Sequence, residues 1–240
     1  MKRNISQNLL DWKHRKDRKP LILRGVRQCG KTYSLESFGH SFPNYHLVNF
    51  EKQKQLGGAF GEDLSPSKIL QALEFQLDTE INPKEDLLIL DEIQECPRAM
   101  TSLKYFREEM PELAVCCAGS HIGVTSSEAS FPVGKVSYLN MYPLCFGEFL
   151  LNYSERLHTA TLDMISTGFS QIADQKLFEL VKLYWLIGGL PEAVEAFLTR
   201  KKNLRDGLLA CREVHLQLIN GYTSDFAKHC GGLNAQHINL

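Results

Sequence analysis

At 240 residues, 43% hydrophobic and 23% charged, with a formal net charge of −1, the chain has an ordinary globular composition and is long enough for one large domain or two small ones. Near-neutral charge exerts no global pull toward nucleic acid or membrane surfaces. No run of 18 apolar residues is present to span a bilayer and the N-terminus lacks the apolar core of a signal peptide, so a cytoplasmic protein with no membrane partner is expected.

The first twenty residues hold seven Lys or Arg against two Asp. Residues 1–19 therefore read as a basic, solvated N-terminal arm, and contact with nucleic-acid phosphates is the other use of such an arm, here without an aromatic stacking pattern to accompany it. After Pro20, Leu-Ile-Leu reads as a short buried strand, and Lys31 to Phe38 carries Tyr33, Leu35 and Phe38 at helical spacing with Gly39 as a stop. Between strand and helix, Gly25, Gly30, Lys31 and Thr32 satisfy G-x-x-x-x-G-K-[ST], the phosphate-binding loop pattern. In that geometry, backbone N–H groups and the positive end of the helix surround a β-phosphate, Lys31 neutralises the β- and γ-phosphates, and the Thr32 hydroxyl ligates Mg²⁺. An ordinary glycine turn is the alternative, which the flanking strand and helix disfavour.

Tyr45 to Phe50 reads as a second strand, Pro66 to Leu77 as a helix, Asp86 to Ile93 as a third strand, Arg98 to Met110 as a helix and Leu113 to Ala118 as a fourth strand. Alternating strands and helices imply an α/β core with a parallel sheet covered on both faces. From about Leu151 the strands stop. Leu177 to Ile187, Pro191 to Leu198 and Asn203 to Ile219 read as helices, with Gly188-Gly189 as a hinge or cap. The expected organisation is a core over 1–152 and a small helical lid over 153–240. Seven cysteines, with no C-x-x-C pair, suit reduced thiols better than disulfides or a zinc site, and Cys116-Cys117 suits a buried strand.

The run Leu87-Leu88-Ile89-Leu90 delivers Asp91 and Glu92 to the carboxyl end of a buried strand, the edge where parallel sheets hold ligands. Beside a phosphate loop, Asp91 would hold Mg²⁺ through water and Glu92 would orient or deprotonate an attacking water. A strand-end acid that caps the next helix has the same sequence.

Together, PLILRGVRQCGKTY (20–33), LDEIQECP (90–97), SLKYF (102–106), AGSHIGV (118–124), FPVGKVSYLNMYPLCFGEFL (131–150) and GGLPEAV (188–194) resemble one prokaryotic family of AAA-superfamily ATP-binding proteins. The resemblance covers nearly the whole chain. It implies a five-stranded sheet of the additional-strand type, in which one strand separates the acid-bearing strand from the phosphate-loop strand, followed by a helical lid. It also implies that relatives continue into a restriction-endonuclease-like domain of unknown function, so the chain is expected to stop before that domain. Carried over by position, Gly25, Val26, Arg27, Gln28, Cys29, Gly30, Lys31, Thr32 and Tyr33 bind the nucleotide, Thr32 and Asp91 bind the metal, and Glu92, Lys31 and Ser120 act in catalysis. Ser120 falls at the sensor position after the fourth strand, where a plain Gly-Ser turn reads identically. Lys135 is either a cation reaching the nucleotide of this or a neighbouring subunit, or a solvated lysine. Cys29 stands where relatives carry a small apolar residue, and Lys31 and the helix N-terminus are expected to lower its pKa.

The function these features imply is Mg²⁺-ATP binding and hydrolysis by a motor or switch, with an unidentified protein partner and homo-oligomerisation left open. A nucleotide-dependent binding module with little or no turnover shares the same loop. Absence of an N-K-x-D motif, together with the resemblance, favours ATP over GTP. Nothing in the sequence suits a small-molecule phosphotransferase.

Overall fold

The computed structural model describes residues 1–119 and 134–229. The chain divides into two compact units, one from Arg3 to Tyr142 and one formed by Met1–Lys2 with the chain from Pro143 onward.

The first unit is built on five parallel strands, β1 (Leu21–Gly25), β2 (Tyr45–Asn49), β3 (Leu87–Asp91), β4 (Ala114–Gly119) and β5 (Ser137–Met141), in the order β2-β3-β4-β1-β5. One strand, β4, thus separates β3 from β1, as the family resemblance implies. Side chains alternate across the sheet with a period of two. Leu87 and Ile89 face one apolar cluster with Leu21, Leu23, Cys116 and Ala118, while Leu88 and Leu90 face the other with Ile22, Val115 and Cys117. Helices α1 (Ile5–Lys13) and α2 (Lys31–Gly39) supply the first cluster, and α3 (Pro66–Leu77) and α4 (Pro97–Glu109) the second. Both faces are covered, so β3 is buried at all five positions and reads as a continuous apolar run.

Helix α1 corrects the reading of residues 1–19 as a solvated arm. Ile5, Leu9 and Trp12 recur at i, i+4 and i+7 and are all buried against the sheet. Arg15 and Lys16 are exposed, but other cations of this segment bind backbone carbonyls: Arg18 donates to Glu112 O at 2.6 Å, and Lys19 donates to Gly134 O at 2.8 Å. The Trp12 indole N–H donates to Lys19 O at 2.9 Å, which closes the segment back on itself. Counting charges hid a three-residue apolar stripe. Strand β5 also went unassigned, because its burial alternates and its sequence, SYLNM, is half polar.

At the amino edge of the sheet, buried Asp86 fixes the pairing of β2 with β3. Its Oδ1 accepts from Asn44 Nδ2 at 3.1 Å, and its Oδ2 accepts from Asn82 N–H at 2.8 Å and pairs with His46 Nε2 at 3.1 Å. Burial raises the Asp86 pKa, but the hydrogen bonds from Asn82, His46 and Asn44 outweigh it and hold the carboxyl below its usual range. The register that follows pairs Tyr45 with Leu87 and, four steps on, Asn49 with Asp91.

The second unit is helical: α5 (Phe146–Tyr153), α6 (Glu155–Thr167), α7 (Gln171–Ile187), α8 (Pro191–Arg200) and α9 (Leu204–His229). Leu144, Phe149, Ile187, Ala193, Val194, Phe197 and Cys211 form its core. Gly188, at φ 73°, ends α7 in a conformation that glycine adopts most easily. Gly189 then packs against Pro143-Leu144 so closely that a Cβ would lie 2.3 Å from Leu144 O. No helix among the described residues is long and apolar enough to cross a membrane.

Trp12→Ala should lower unfolding free energy by about 3–5 kcal/mol, the usual result of emptying a large aromatic site, and a urea titration reads this directly. An unchanged midpoint would return residues 1–19 to a solvated arm. A carboxyl with a depressed folded-state pKa contributes stability that is full above the unfolded value of about 4 and is lost as pH falls through the folded value. Asp86→Asn should therefore be less stable than the parent at pH 7, and its stability should decline less steeply below about pH 4. Urea midpoints across an acid pH series test this; parallel curves would assign the acid response to other carboxyls.

Candidate functional site

The carboxyl edge of the sheet gathers the glycine loop with Lys31 and Thr32, and Asp91 with Glu92. Gly25 closes β1, residues 26–30 form a loop, and α2 begins at Lys31. Gly25 is sterically required, since a Cβ there would sit 2.3 Å from Met141 O at the end of β5. Within the loop, Gln28 at φ 62° and Gly30 at φ 92° both take positive φ, which curls the chain into the start of the helix. Val26 and Tyr33 are exposed, whereas Cys29 is fully buried beneath the loop.

Lys31 is itself buried, and its ammonium donates to Gly25 O and Val26 O, both at 2.9 Å. The Thr32 hydroxyl donates to Asp91 Oδ2 at 2.9 Å across 59 residues of sequence. The same oxygen accepts from Asn49 Nδ2 at 2.8 Å. A carboxylate only 2% exposed is thus held by two donors from two other elements. Glu92, the next residue, takes a left-handed conformation at φ 50°, ψ 46°, and its Oε2 accepts from Gln94 Nε2 at 2.5 Å.

Three contributors were not anticipated. Asn49 had a legible signal, a polar residue ending a buried strand at the same edge as Asp91. Gln94 lies inside the quoted LDEIQECP segment but carried no assigned role. Arg3 had no local signal at all: its guanidinium donates to Cys29 O at 3.0 Å and to Tyr142 O at 2.6 Å, clamping the loop to the strand that follows it in space.

One expectation needs correction, and one of the alternatives open for Lys135 falls away. Burial pushes the Cys29 thiol up, and the nearby Lys31 and Arg3 offset this only in part, so its pKa is raised where a lowered one was expected. Lys135 does not reach this chain's phosphate loop. It precedes β5, whose first residue, Ser137, donates its N–H to Pro20 O at 2.9 Å, so it stands at the amino edge, a five-residue strand of roughly 16 Å away from the loop. There it pairs with Glu108 at 2.8 Å. Ser120 lies outside the described residues.

A family model described as an AAA domain matches residues 17–150, more than half of the chain. Among solved structures, the Walker-type ATPase PABY2304 of Pyrococcus abyssi is similar with a TM-score of 0.58 and 16% identity, over 95% of this chain and 75% of that one. PCH-2 of C. elegans gives a TM-score of 0.46 at 14% identity, over 87% of this chain and 67% of that one. AMPPCP-bound DnaA of Aquifex aeolicus also gives 0.46, at 12% identity, over 82% of this chain and 59% of that one. No curated protein matches in sequence. At 16% identity the likeness to the Pyrococcus ATPase is one of fold, the α/β arrangement of P-loop proteins.

Iodoacetamide should label exposed Cys145 in the folded chain well before Cys29, because Cys29 is buried and its thiolate is disfavoured. Peptide mass spectrometry over a time course distinguishes the two sites. Equal labelling rates would mean that the loop opens far enough to expose the thiol.

Proposed function

We propose that this chain, which belongs to the AAA domain family of P-loop ATPases, binds ATP with Mg²⁺ at the carboxyl edge of its sheet and hydrolyses it to ADP and phosphate, acting as a motor or switch on a protein partner. The observation that carries this reading is the 2.9 Å bond between the Thr32 hydroxyl and the Asp91 carboxylate. It brings the end of the glycine loop and the end of the acid-bearing strand to one point, where a divalent ion bound to phosphate would be held.

In this reading the loop from Gly25 to Tyr33 wraps the phosphates with backbone N–H groups. Lys31 exchanges its two carbonyl acceptors for β- and γ-phosphate oxygens, a stronger, charge-assisted contact. Hard oxygen donors, a hydroxyl and a carboxylate, suit Mg²⁺. When bound, the ion withdraws charge from the phosphates. Thr32 and Asp91 would hold it, and Asn49 keeps the Asp91 carboxylate aimed. Glu92 stands next in the chain and accepts a proton from the attacking water. A cytoplasmic setting accords with the free thiols of all six described cysteines.

The experiment sets ATP affinity by calorimetry beside single-turnover phosphate release. Lys31→Ala should lose most of its affinity, since a buried charge on the phosphates is removed. Glu92→Gln should keep binding but slow the chemical step by about 10²- to 10⁴-fold, the usual contribution of a general base. Asp91→Asn should weaken Mg²⁺-dependent binding as well. Stoichiometric ATP retention without phosphate release by the parent would move the chain to a nucleotide-dependent binding module. Parent-rate hydrolysis by Glu92→Gln would reduce that acid to a strand-end cap.

A further inference from the structure

We propose that Gln94 positions both Glu92 and the attacking water: its carboxamide nitrogen holds the carboxylate, and its carboxamide oxygen accepts the water's second hydrogen. The inference rests on Glu92 acting as the base in ATP hydrolysis.

Gln94 Nε2 lies 2.5 Å from Glu92 Oε2. An ionised carboxylate only accepts, so the contact fixes which end of the carboxamide is nitrogen. The oxygen must then point elsewhere. Gln94 Oε1 is buried and has no hydrogen-bond partner among the described residues. An unsatisfied buried acceptor costs about 1–3 kcal/mol, and buried polar atoms in folded proteins are nearly always paired. A hydrophobic side chain would avoid this cost if packing were the only requirement.

The backbone shows the same bias. Glu92 adopts left-handed φ and ψ, a conformation that costs a residue with a Cβ about 1–3 kcal/mol. The short turn Ile93–Glu95 stabilises it: Ile93 is fully buried, Glu95 N–H donates to Glu92 O at 2.9 Å, and Cys96 N–H donates to Ile93 O at 3.0 Å. Strain, a restrained carboxylate and an orphaned acceptor thus fall within three consecutive residues beside the proposed base. A water molecule has two O–H groups, and this turn presents one acceptor for each.

The resulting step balances. The water oxygen bonds to the γ-phosphorus as the bond from that phosphorus to the β–γ bridging oxygen breaks, and ADP leaves with the electron pair. One water proton passes to Glu92, which later releases it to solvent. Gln94 exchanges no proton: Oε1 holds the remaining O–H, and Nε2 keeps the carboxylate turned toward the water.

Gln94→Leu removes both contacts. In single-turnover assays it should slow phosphate release about 10- to 100-fold, less than loss of the base itself, while calorimetry finds ATP affinity within about twofold of the parent. In a Glu92→Gln background, adding Gln94→Leu should change the rate little, because both side chains act on the same water. Gln94→Glu is nearly isosteric and serves if the leucine variant does not fold. It replaces the donor with a second carboxylate against Glu92 and should also slow the step. An active parent whose Gln94 variants hydrolyse at the parent rate would overturn the role of Gln94 and leave Glu92 as base. Fully additive losses in the double variant, or a loss of ATP affinity matching the loss of rate, would make Gln94 a structural residue of the turn. A parent that releases no phosphate would overturn the ATPase reading and the water-positioning role with it.

Discussion

The Asp91 carboxylate is the constraint on which the rest of this site depends. It ends a strand buried on both faces, where an ionised group without partners would be untenable. Its Oδ2 accepts from Thr32 at 2.9 Å and from Asn49 at 2.8 Å, so the first turn of α2 and the end of β2 are both tied to the end of β3. The Asn49 bond forms only when β2 and β3 pair in the observed register. A one-residue slip would turn every β2 side chain to the opposite face and bring Val48 or Phe50 opposite the acid. The Asp86 cluster at the amino edge guards against that slip, because Asn44 and His46 close on it only in the same register. One strand pair thus carries a buried carboxylate at each end, the first fixing alignment and the second using it.

The glycine loop is held from behind in an equally specific way. Gly25 meets the Met141 carbonyl too closely for any side chain, and Arg3 ties Cys29 O to Tyr142 O. The end of strand β5 and Arg3, two residues before α1, therefore form the rear wall of the loop. Cys29 fills the space between, with its sulfur 3.7 Å from Met141 O. A thiol in that position packs as a small apolar group, which explains why burial prevails over two nearby cations in setting its protonation.

The α/β class, the parallel sheet and the loop were legible because each has a local or periodic signature, whereas the strand order followed only from the family resemblance. The helix Pro66–Leu77 coincides with its expected span, since apolar spacing and an N-terminal proline mark it clearly. Strand β5 and helix α1 escaped for opposite reasons. The first is half polar, and the second hides a narrow apolar stripe among charges. The pairing of Thr32 with Asp91 could be anticipated from the two motifs. Arg3, by contrast, meets Cys29 only through tertiary folding, and no spacing rule places a residue 26 positions before its partner. The Cys29 pKa was misread because adjacent charges are visible in sequence and desolvation is not.

Local rules are broken in few places among the described residues, and the distribution of those breaks is informative. Gln28, Asp78 and Glu92 are the non-glycine residues with positive φ. Asp78 has a structural reason, for it caps the end of α3, where left-handed residues are common. Gln28 lies instead in the glycine loop, and Glu92 just after Asp91 at the start of the short turn Ile93–Glu95, a position that does not call for positive φ. In β3 and α3, by contrast, sequence pattern and structure agree: β3 is apolar because it is doubly covered, and α3 begins at a proline. Strain confined to the two segments that flank the Thr32–Asp91 bond is what a fold displays when those segments are shaped for something other than stability.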